Sequence, residues 1–458
     1  NFDLFKNSKN ITIYPSLGIR YSQSGFEMND KVPFSALWVS PGLEFKFNQI
    51  LINSLDPIWF NASFNFYKHS AYGISYNLNM GSTIGNNNQD AAPMFLHNHN
   101  YQYGFYKNVK SGNNGIDFDE SMGYLSILKN NFDITVGKFK SSLGPSVYSN
   151  LALSNTIPAF NQFRVKYNYK DKLYFTFIIG ELYSNILDSS FVYTDELFDD
   201  KYSALPRRLY NHRIDFTIYN NLRVGMYEQI ITLPNNSGSF AYMNPFQLYW
   251  SEQHQNNDLD NLQIGFDFDY IFSKFRVYGS LLIDEWALYD TFNQDSHNWF
   301  AQQIGLSRIF EYQKWGFFLK GILKFEYSSA EPQVYTHKFE INIPNHHNYP
   351  IGLWSGGDSI DKRVSFILFI SNSTQEEQFI VDFSYQNTRF GNPIYDEDIS
   401  LLSSNNIKIR DLLALQIKKT LLYNIDWYFK VGFYKTENLY SEDNFLDIST
   451  SLLYNIKN

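Results

Sequence analysis

Two kinds of residue grouping in this sequence could do chemistry. The first is ionic. His212, Arg213 and Asp215 form one run, Glu228 follows it, and Asp284 and Glu285 are adjacent. Adjacent carboxylates invite general acid–base work, but in an extended chain neighbouring side chains point to opposite faces, so this pair does not converge. The 212–215 run suits a salt-bridge cluster in a water-filled interior, which Glu228, Asp284 and Glu285 are expected to join. The second grouping is aromatic. Tyr242, Tyr249 and Trp250 lie near Glu252, Trp286 near Asp284 and Glu285, Trp299 near Asn298, and Trp354 near Asp358. A sugar ring has an apolar face and a hydroxyl rim, so its recognition needs an aromatic platform beside hydrogen-bonding groups. The same aromatics also suit a girdle at a membrane interface.

Other chemistries find little support. No Ser/His/Asp order stands out, and no phosphate-binding Gly-rich loop follows a strand. With no cysteine in 458 residues, disulfides and thiolate metal sites are excluded. His97, His99, His346 and His347 fall in Asn-rich stretches and read as solvated loop residues, and the Asp/Asn run at 254–260 lacks EF-hand spacing. Neither a metal nor a cofactor is expected, nor an enzyme. A net charge of −9, dispersed along the chain, argues against a nucleic-acid binder.

The elements that must position these residues are strands. In 424–435, Ile425, Trp427, Phe429, Val431 and Phe433 alternate with Asp426, Tyr428, Lys430, Gly432 and Tyr434. Such period-two alternation gives one lipid-compatible face and one face that needs water. The pattern recurs at 261–270, 274–284, 315–327 and 445–456, with further candidates at 11–21, 58–67, 132–139, 163–169, 213–219, 299–309, 378–386 and 407–418. Aromatics reach 19% and charged residues only 18%, while the mean hydropathy is −0.35. That balance fits a wall facing lipid on one side and water on the other. No apolar run approaches the ~18 residues of a spanning helix. The first residues carry no signal peptide, so the chain reads as a mature form.

Polar loop candidates fall at 80–92, 109–119, 186–204, 233–239, 251–260, 328–360 and 386–405. Fitting strands of ~9–11 residues between them gives roughly 16–20 strands. No linker or composition break marks a second domain, so residues 1–458 read as one barrel with long loops. A short helix is a weaker expectation near 144–157 or 186–204. A soluble all-β sandwich, propeller or solenoid shows similar alternation, but turns its apolar face inward.

Segment 132–160, FDITVGKFKSSLGPSVYSNLALSNTIPAF, carries more than composition. A strand ending in Gly137-Lys138 is followed by Gly144-Pro145, then Leu151-x-Leu153-Ser154-Asn155 and Pro158. Downstream come His212-Arg213-Ile214-Asp215, LRVGMYE from Leu222 to Glu228, Tyr242-Met243-Asn244-Pro245, and YGSLLIDE from Tyr278 to Glu285. In order and spacing these resemble the Wzi-type capsule assembly family. The resemblance runs from roughly Phe132 to Glu285. Ser141, Ser142 and Ser146 depart from the aromatic and glycine residues common around the family's Gly-Pro. It implies a transmembrane antiparallel β-barrel of about 18 strands in the bacterial outer membrane, with lectin-like behaviour toward extracellular capsular polysaccharide.

Read on their own, the same residues leave alternatives open. Gly144, Pro145, Pro158 and Pro245 suit structural turns. Ser154 and Asn155 suit either a helix cap or a sugar contact. The candidate ligand-binding set is Lys138, Ser154, Asn155, His212, Arg213, Asp215, Glu228, Asn244, Trp250, Asp284, Glu285 and Trp286. Expected partners are outer-membrane lipid and polysaccharide, together with outer-membrane or periplasmic proteins. The rival readings are a porin or uptake channel, and a scaffold subunit of a surface-export or gliding machine.

Overall fold

A computed structural model describes residues 11–24, 34–52, 57–73, 110–112, 115–195, 198–234, 240–256, 258–284, 286, 298–314, 317–347, 349–372, 378–391, 407–422, 425–437 and 442–455. Eighteen antiparallel strands close into a barrel. In chain order they are β1 (Ile11–Ser24), β2 (Phe34–Ile52), β3 (Ile58–Gly73), β4 (Gly115–Lys129), β5 (Phe132–Phe139) and β6 (Phe160–Tyr169). Next come β7 (Leu173–Asp195), β8 (Phe198–Ile218), β9 (Leu222–Thr232), β10 (Asn261–Phe272), β11 (Phe275–Asp284) and β12 (Trp299–Lys314). The last six are β13 (Phe317–Ala330), β14 (Ser359–Asn372), β15 (Gln378–Phe390), β16 (Lys408–Leu422), β17 (Ile425–Glu437) and β18 (Glu442–Asn455). Closure is made by β1 and β18, which pair from Ser16↔Asn455 to Ser24↔Asp447. A three-residue strip, Lys110–Gly112, pairs with the start of β4.

The two ends of the barrel differ. At one end the connections are tight hairpins at Asn130–Asn131, Lys170–Lys172, Tyr219–Asn221 and Ser273–Lys274. Asn130, Lys170, Asp171, Tyr219, Asn220 and Ser273 there have positive φ. Tight hairpins need that left-handed geometry to match the twist of the strands. Long connections leave the other end. Short turns normally face the periplasm and long loops the outside.

The sequence pattern maps onto the wall as its alternation requires. Phe266, Phe268, Leu323, Phe325, Phe433, Ile448 and Leu452 are exposed on the outer face, while Asp267, Tyr278, Asp284 and Tyr434 are buried inside. Toward the short-turn end the outer face carries aromatic pairs. Phe132 lies 4.5 Å from Tyr167, and Phe272 lies 5.3 Å from both Tyr270 and Phe275. Aromatic rings gather where hydrocarbon meets headgroups. The side chain of Phe317, expected outside, and Ile456 lie outside the described residues.

On the inner face, large rings cover glycines of the next strand. A Cβ on Gly265 would meet the Tyr227 ring at 2.2 Å, and one on Gly305 would meet the Tyr278 ring at 2.0 Å. Gly265→Ala is therefore expected to displace a buried tyrosine and cost ~1–3 kcal/mol. Urea titration of the folded barrel in micelles would read that loss, and an unchanged midpoint would contradict the packing argument.

Several loop expectations change. The 109–119 stretch lies largely in β4 and its short partner, and 186–204 lies largely in β7 and β8. A hairpin reaching beyond the membrane can be paired without a lipid-facing apolar stripe, so its polar sequence reads as loop. No helix forms at 144–157. Part of the 251–260 loop is a helix, α1 (Tyr249–Gln255). The 80–92 segment, His97, His99, Glu285 and 392–405 lie outside the described residues.

Candidate functional site

The connection 140–159, between β5 and β6, does not turn back at the rim. It runs down into the lumen, where Arg276, second residue of β11, donates to the Pro145 carbonyl at 2.6 Å. Gly144-Pro145 is thus the tip of an inserted loop rather than a turn between barrel strands. Gly144 has φ +130°, and a Cβ there would meet the Asn150 amide at 2.4 Å. The rising limb returns beside the descending one through the Leu143↔Leu153 bridge. Leu143, Ala152, Leu153 and Ile157 pack on Phe160, Ile178, Leu182, Leu209 and Ile351. This is a small apolar core inside a polar lumen.

Polar side chains of the wall fix the loop's backbone. Gln303 Nε2 donates to the Ser149 carbonyl at 2.8 Å, and Gln229 Nε2 to that of Ala152 at 2.9 Å. The three serines that depart from the family pattern are all engaged. Ser141 Oγ donates to Gln162 at 2.6 Å, Ser142 Oγ accepts from Asn150 at 2.7 Å, and Ser146 Oγ donates to Glu326 at 2.7 Å. Glu326 also accepts from the Tyr278 hydroxyl. These luminal glutamines were missed in the sequence. Their signal was an amide at inward positions of alternating strands, which by itself does not say what it will hold.

The connection 331–358, between β13 and β14, folds over the first loop. Ser154 N–H donates to the Ile351 carbonyl at 2.7 Å, and the Tyr335 hydroxyl donates to that of Leu151 at 2.7 Å. Gly352 lets the two backbones touch, since a Cβ there would meet the Leu151 carbonyl at 2.1 Å. A two-residue ladder, Asn345–His346 with Tyr349–Pro350, lies beside β7. Arg207, fully buried, donates to the carbonyls of Ile341, Ile343, Asn345 and Tyr183. Together the loops fill the lumen along the β6–β14 arc.

His346 is not the solvated residue expected from its neighbours; it is 1% exposed, and its Nδ1 accepts from Tyr183 N–H at 3.1 Å. Burial holds it neutral, well below the usual histidine range, and lowers His337 from 6.5 to about 4. For both, protonation is easier in the unfolded loop. Loop stability is therefore full above about 6.5 and is lost as pH falls toward 4, by roughly 3 kcal/mol from His337. Hydrogen exchange of 331–358, corrected for the intrinsic rate, should show this loosening at pH 5. A His337→Phe variant with an undiminished pH response would refute the assignment.

Below the loop tip lies a cavity of ≈ 510 Å³, lined among others by Lys166, Arg213, Asp215, Arg223, Asp269 and Arg276. Arg213 reaches Asp215 at 2.5 Å and Asp267 at 2.6 Å, and Arg276 reaches Asp269 at 2.8 Å. A Cβ on Gly225 would meet the Arg213 guanidinium at 2.1 Å, so glycine makes room for the fork.

The structure distributes the sequence candidates among separate places. Arg213 and Asp215 share the lumen, with Asp267 as third member. Asp284 faces inward apart from them, where its Oδ2 accepts from Gln263 at 3.0 Å and Tyr335 N–H at 2.9 Å. His212 and Glu228 do not join the luminal network. They point outward and pair with each other at 2.9 Å. One residue's step along a strand reverses the face, which separates His212 from Arg213.

The connection 240–256 lies over this outer pair. Tyr249 stacks on His212 at 4.3 Å, and its N–H donates to Glu228 at 2.9 Å. Asn244, Pro245 and Trp250 belong to the same strap, and Trp250 Nε1 donates to the Trp286 carbonyl at 3.1 Å. Ser154 is buried and caps no helix; its Oγ accepts from Thr156 N–H at 3.3 Å. Asn155 is exposed, Lys138 is half-buried on β5, and Pro158 precedes β6. Trp299 is 6% exposed and packs with Val334, Tyr335 and Leu353. Trp354 bonds Asp361 at 3.0 Å instead of Asp358, between Arg363 and Arg410.

The family profile described as capsule assembly protein Wzi matches residues 60–389. Against curated proteins the sequence finds no match. Among solved structures, the chain is similar to Wzi of Escherichia coli, described as an outer-membrane carbohydrate-binding β-barrel involved in group 1 capsule assembly. Identity is 11% and the TM-score 0.57, over 98% of this chain and 85% of that one. It is also similar to OccAB4 of Acinetobacter baumannii, with 10% identity and TM-score 0.51 over 99% and 100% of the two chains. A BenF-like porin of Pseudomonas fluorescens gives 8% identity and TM-score 0.51 over 98% and 99%. At such identities these structures speak to the fold, an outer-membrane barrel. The profile spans more than half of the sequence, and the chain belongs to the capsule assembly protein Wzi family.

Proposed function

We propose that this outer-membrane barrel binds surface polysaccharide at its long-loop face and performs no chemistry on it. The observation that carries the reading is the pair of inserted loops. Their backbones are hydrogen-bonded to the wall along β6–β14, so this mouth offers a shaped surface in place of an open channel. The Wzi solved structure is described as carbohydrate-binding, which supports the ligand class. Asp284, the described member of the adjacent carboxylate pair, is tied into structural hydrogen bonds, which supports a non-enzymatic role.

The proposed contact region is the rim at β5–β8. Tyr183 stacks on His347 at 5.2 Å and donates its hydroxyl to Glu181 at 3.0 Å; Glu181 pairs with Arg208 at 3.2 Å. Ring, carboxylate and guanidinium together match a sugar's apolar face and hydroxyl rim. Of the sequence candidates, Asn155 and Lys138 are retained here. Asn155 is exposed and its carbonyl accepts from Lys140 at 3.1 Å. The test is cosedimentation of the purified barrel with the producing cell's own capsular polysaccharide, beside capsule retention in cells lacking the protein. Tyr183→Ala with Arg208→Ala should weaken binding and release polysaccharide while the barrel stays heat-modifiable. Undiminished binding would move the site elsewhere, and no binding by the native chain would end the proposal.

A further inference from the structure

The strap 240–256 lies on the outside of the barrel wall. Tyr242 and Tyr249 are fully buried against Tyr210, Ile230, Leu262 and Ile264. By alternation these four wall residues belong to the outer stripe that elsewhere faces lipid, as Met226 and Phe266 do. The strap also descends. The Phe246 ring stacks on Phe175 at 5.9 Å, and Phe175 is the third residue of β7 from the short-turn end. At roughly 2.5 Å of height per tilted residue, that places Phe246 within the ~25 Å apolar band.

Two further observations fit that depth. Two polar side chains of the strap's turn bond within it: Asn244 Oδ1 accepts from Phe246 N–H at 3.1 Å, and Gln247 Nε2 donates to Glu252 at 3.3 Å. Irregular backbone is tolerated at membrane depth where it packs against protein, and here the strap packs on the wall through Tyr242 and Tyr249. The exposed side chains of the turn are mostly apolar, with Phe246 84%, Leu248 63% and Met243 47% exposed beside a single exposed amide, Asn244. On the strands beneath the strap, the outward residues Met226 and Phe266 are likewise exposed, at 47% and 39%.

We infer that the strap is embedded in the membrane, where it seals the outward His212–Glu228 pair from hydrocarbon and presents Met243, Phe246 and Leu248 to lipid acyl chains. An outward polar pair holding a carboxylate at this depth would be costly if bare. Under the strap it is enclosed by Tyr249 on one side and the wall on the other.

The absence of cysteine makes the test direct. F246C and, independently, L248C are labelled with an environment-sensitive fluorophore and folded into phosphatidylcholine vesicles. A K338C label on the exposed second loop serves as the aqueous control. Strap labels should emit at shorter wavelength than the control. A phospholipid with a mid-chain nitroxide should quench them, and aqueous iodide should not. Water-like emission quenched by iodide would place the strap outside the bilayer and overturn the inference. Blue-shifted emission that the nitroxide lipid leaves untouched would mean a protein covers the edge, which overturns it equally.

Discussion

Replacing Arg213 with methionine is expected to cost ~3–5 kcal/mol of barrel stability, the scale of breaking a buried ion pair from one side. The guanidinium donates to Asp215 through Nε and Nη2 and to Asp267 through Nη1 and Nη2, at 2.5–3.1 Å. Its side chain is 6% exposed, with those of Asp215 and Asp267 at 11% and 4%. Water therefore does little to screen what remains when the cation goes. Two carboxylates would face each other without the charge between them. Adding Asp215→Asn and Asp267→Asn to the methionine variant should recover much of the loss, because the repulsion disappears with the charges. Urea titration in micelles, read by the heat-modifiable gel shift, measures both. If R213M alone unfolds at the native urea concentration, the triad is not holding this part of the wall.

Removal of the inserted loop should have the largest effect on permeability. Replacing residues 143–153 with a short Gly-Ser linker takes away the Leu143 and Leu153 core and the carbonyls held by Gln229, Gln303 and Arg276. The lumen along β6–β14 then joins the ≈ 510 Å³ cavity beneath the tip to the outside. Planar-bilayer recordings should show a sustained ohmic conductance in the variant, well above that of the native chain. The porin reading makes the opposite forecast. A native barrel as conductive as the linker variant would favour an uptake channel and count against the proposed binding face.

Much of the wall was legible in the sequence, and for a simple reason. A strand has a two-residue period, lipid and water demand opposite polarity, and the two demands write an alternating pattern at each crossing. Trp427 and Phe429 lie on one outer stripe, stacked at 6.2 Å, while Tyr434 is buried on the other face, as their spacing implied. The expected range of 16–20 strands contained the observed eighteen. The long extensions of β7 and β8 were less legible, since a hairpin beyond the membrane can pair without an apolar stripe.

By itself, the sequence determined a closed outer-membrane barrel, the face of most wall residues and the family through its ordered short motifs. Only the tertiary structure decided what those motifs do. Gly144-Pro145 and Leu151-x-Leu153 build a luminal core; His212 and Arg213, neighbours in the chain, end on opposite sides of the wall; and Tyr242-Met243-Asn244-Pro245 lies against the outside. Alternation fixes which way a side chain points. What it meets depends on where a long connection travels, and that is set by contacts between segments far apart in sequence, such as Ser146 with Glu326.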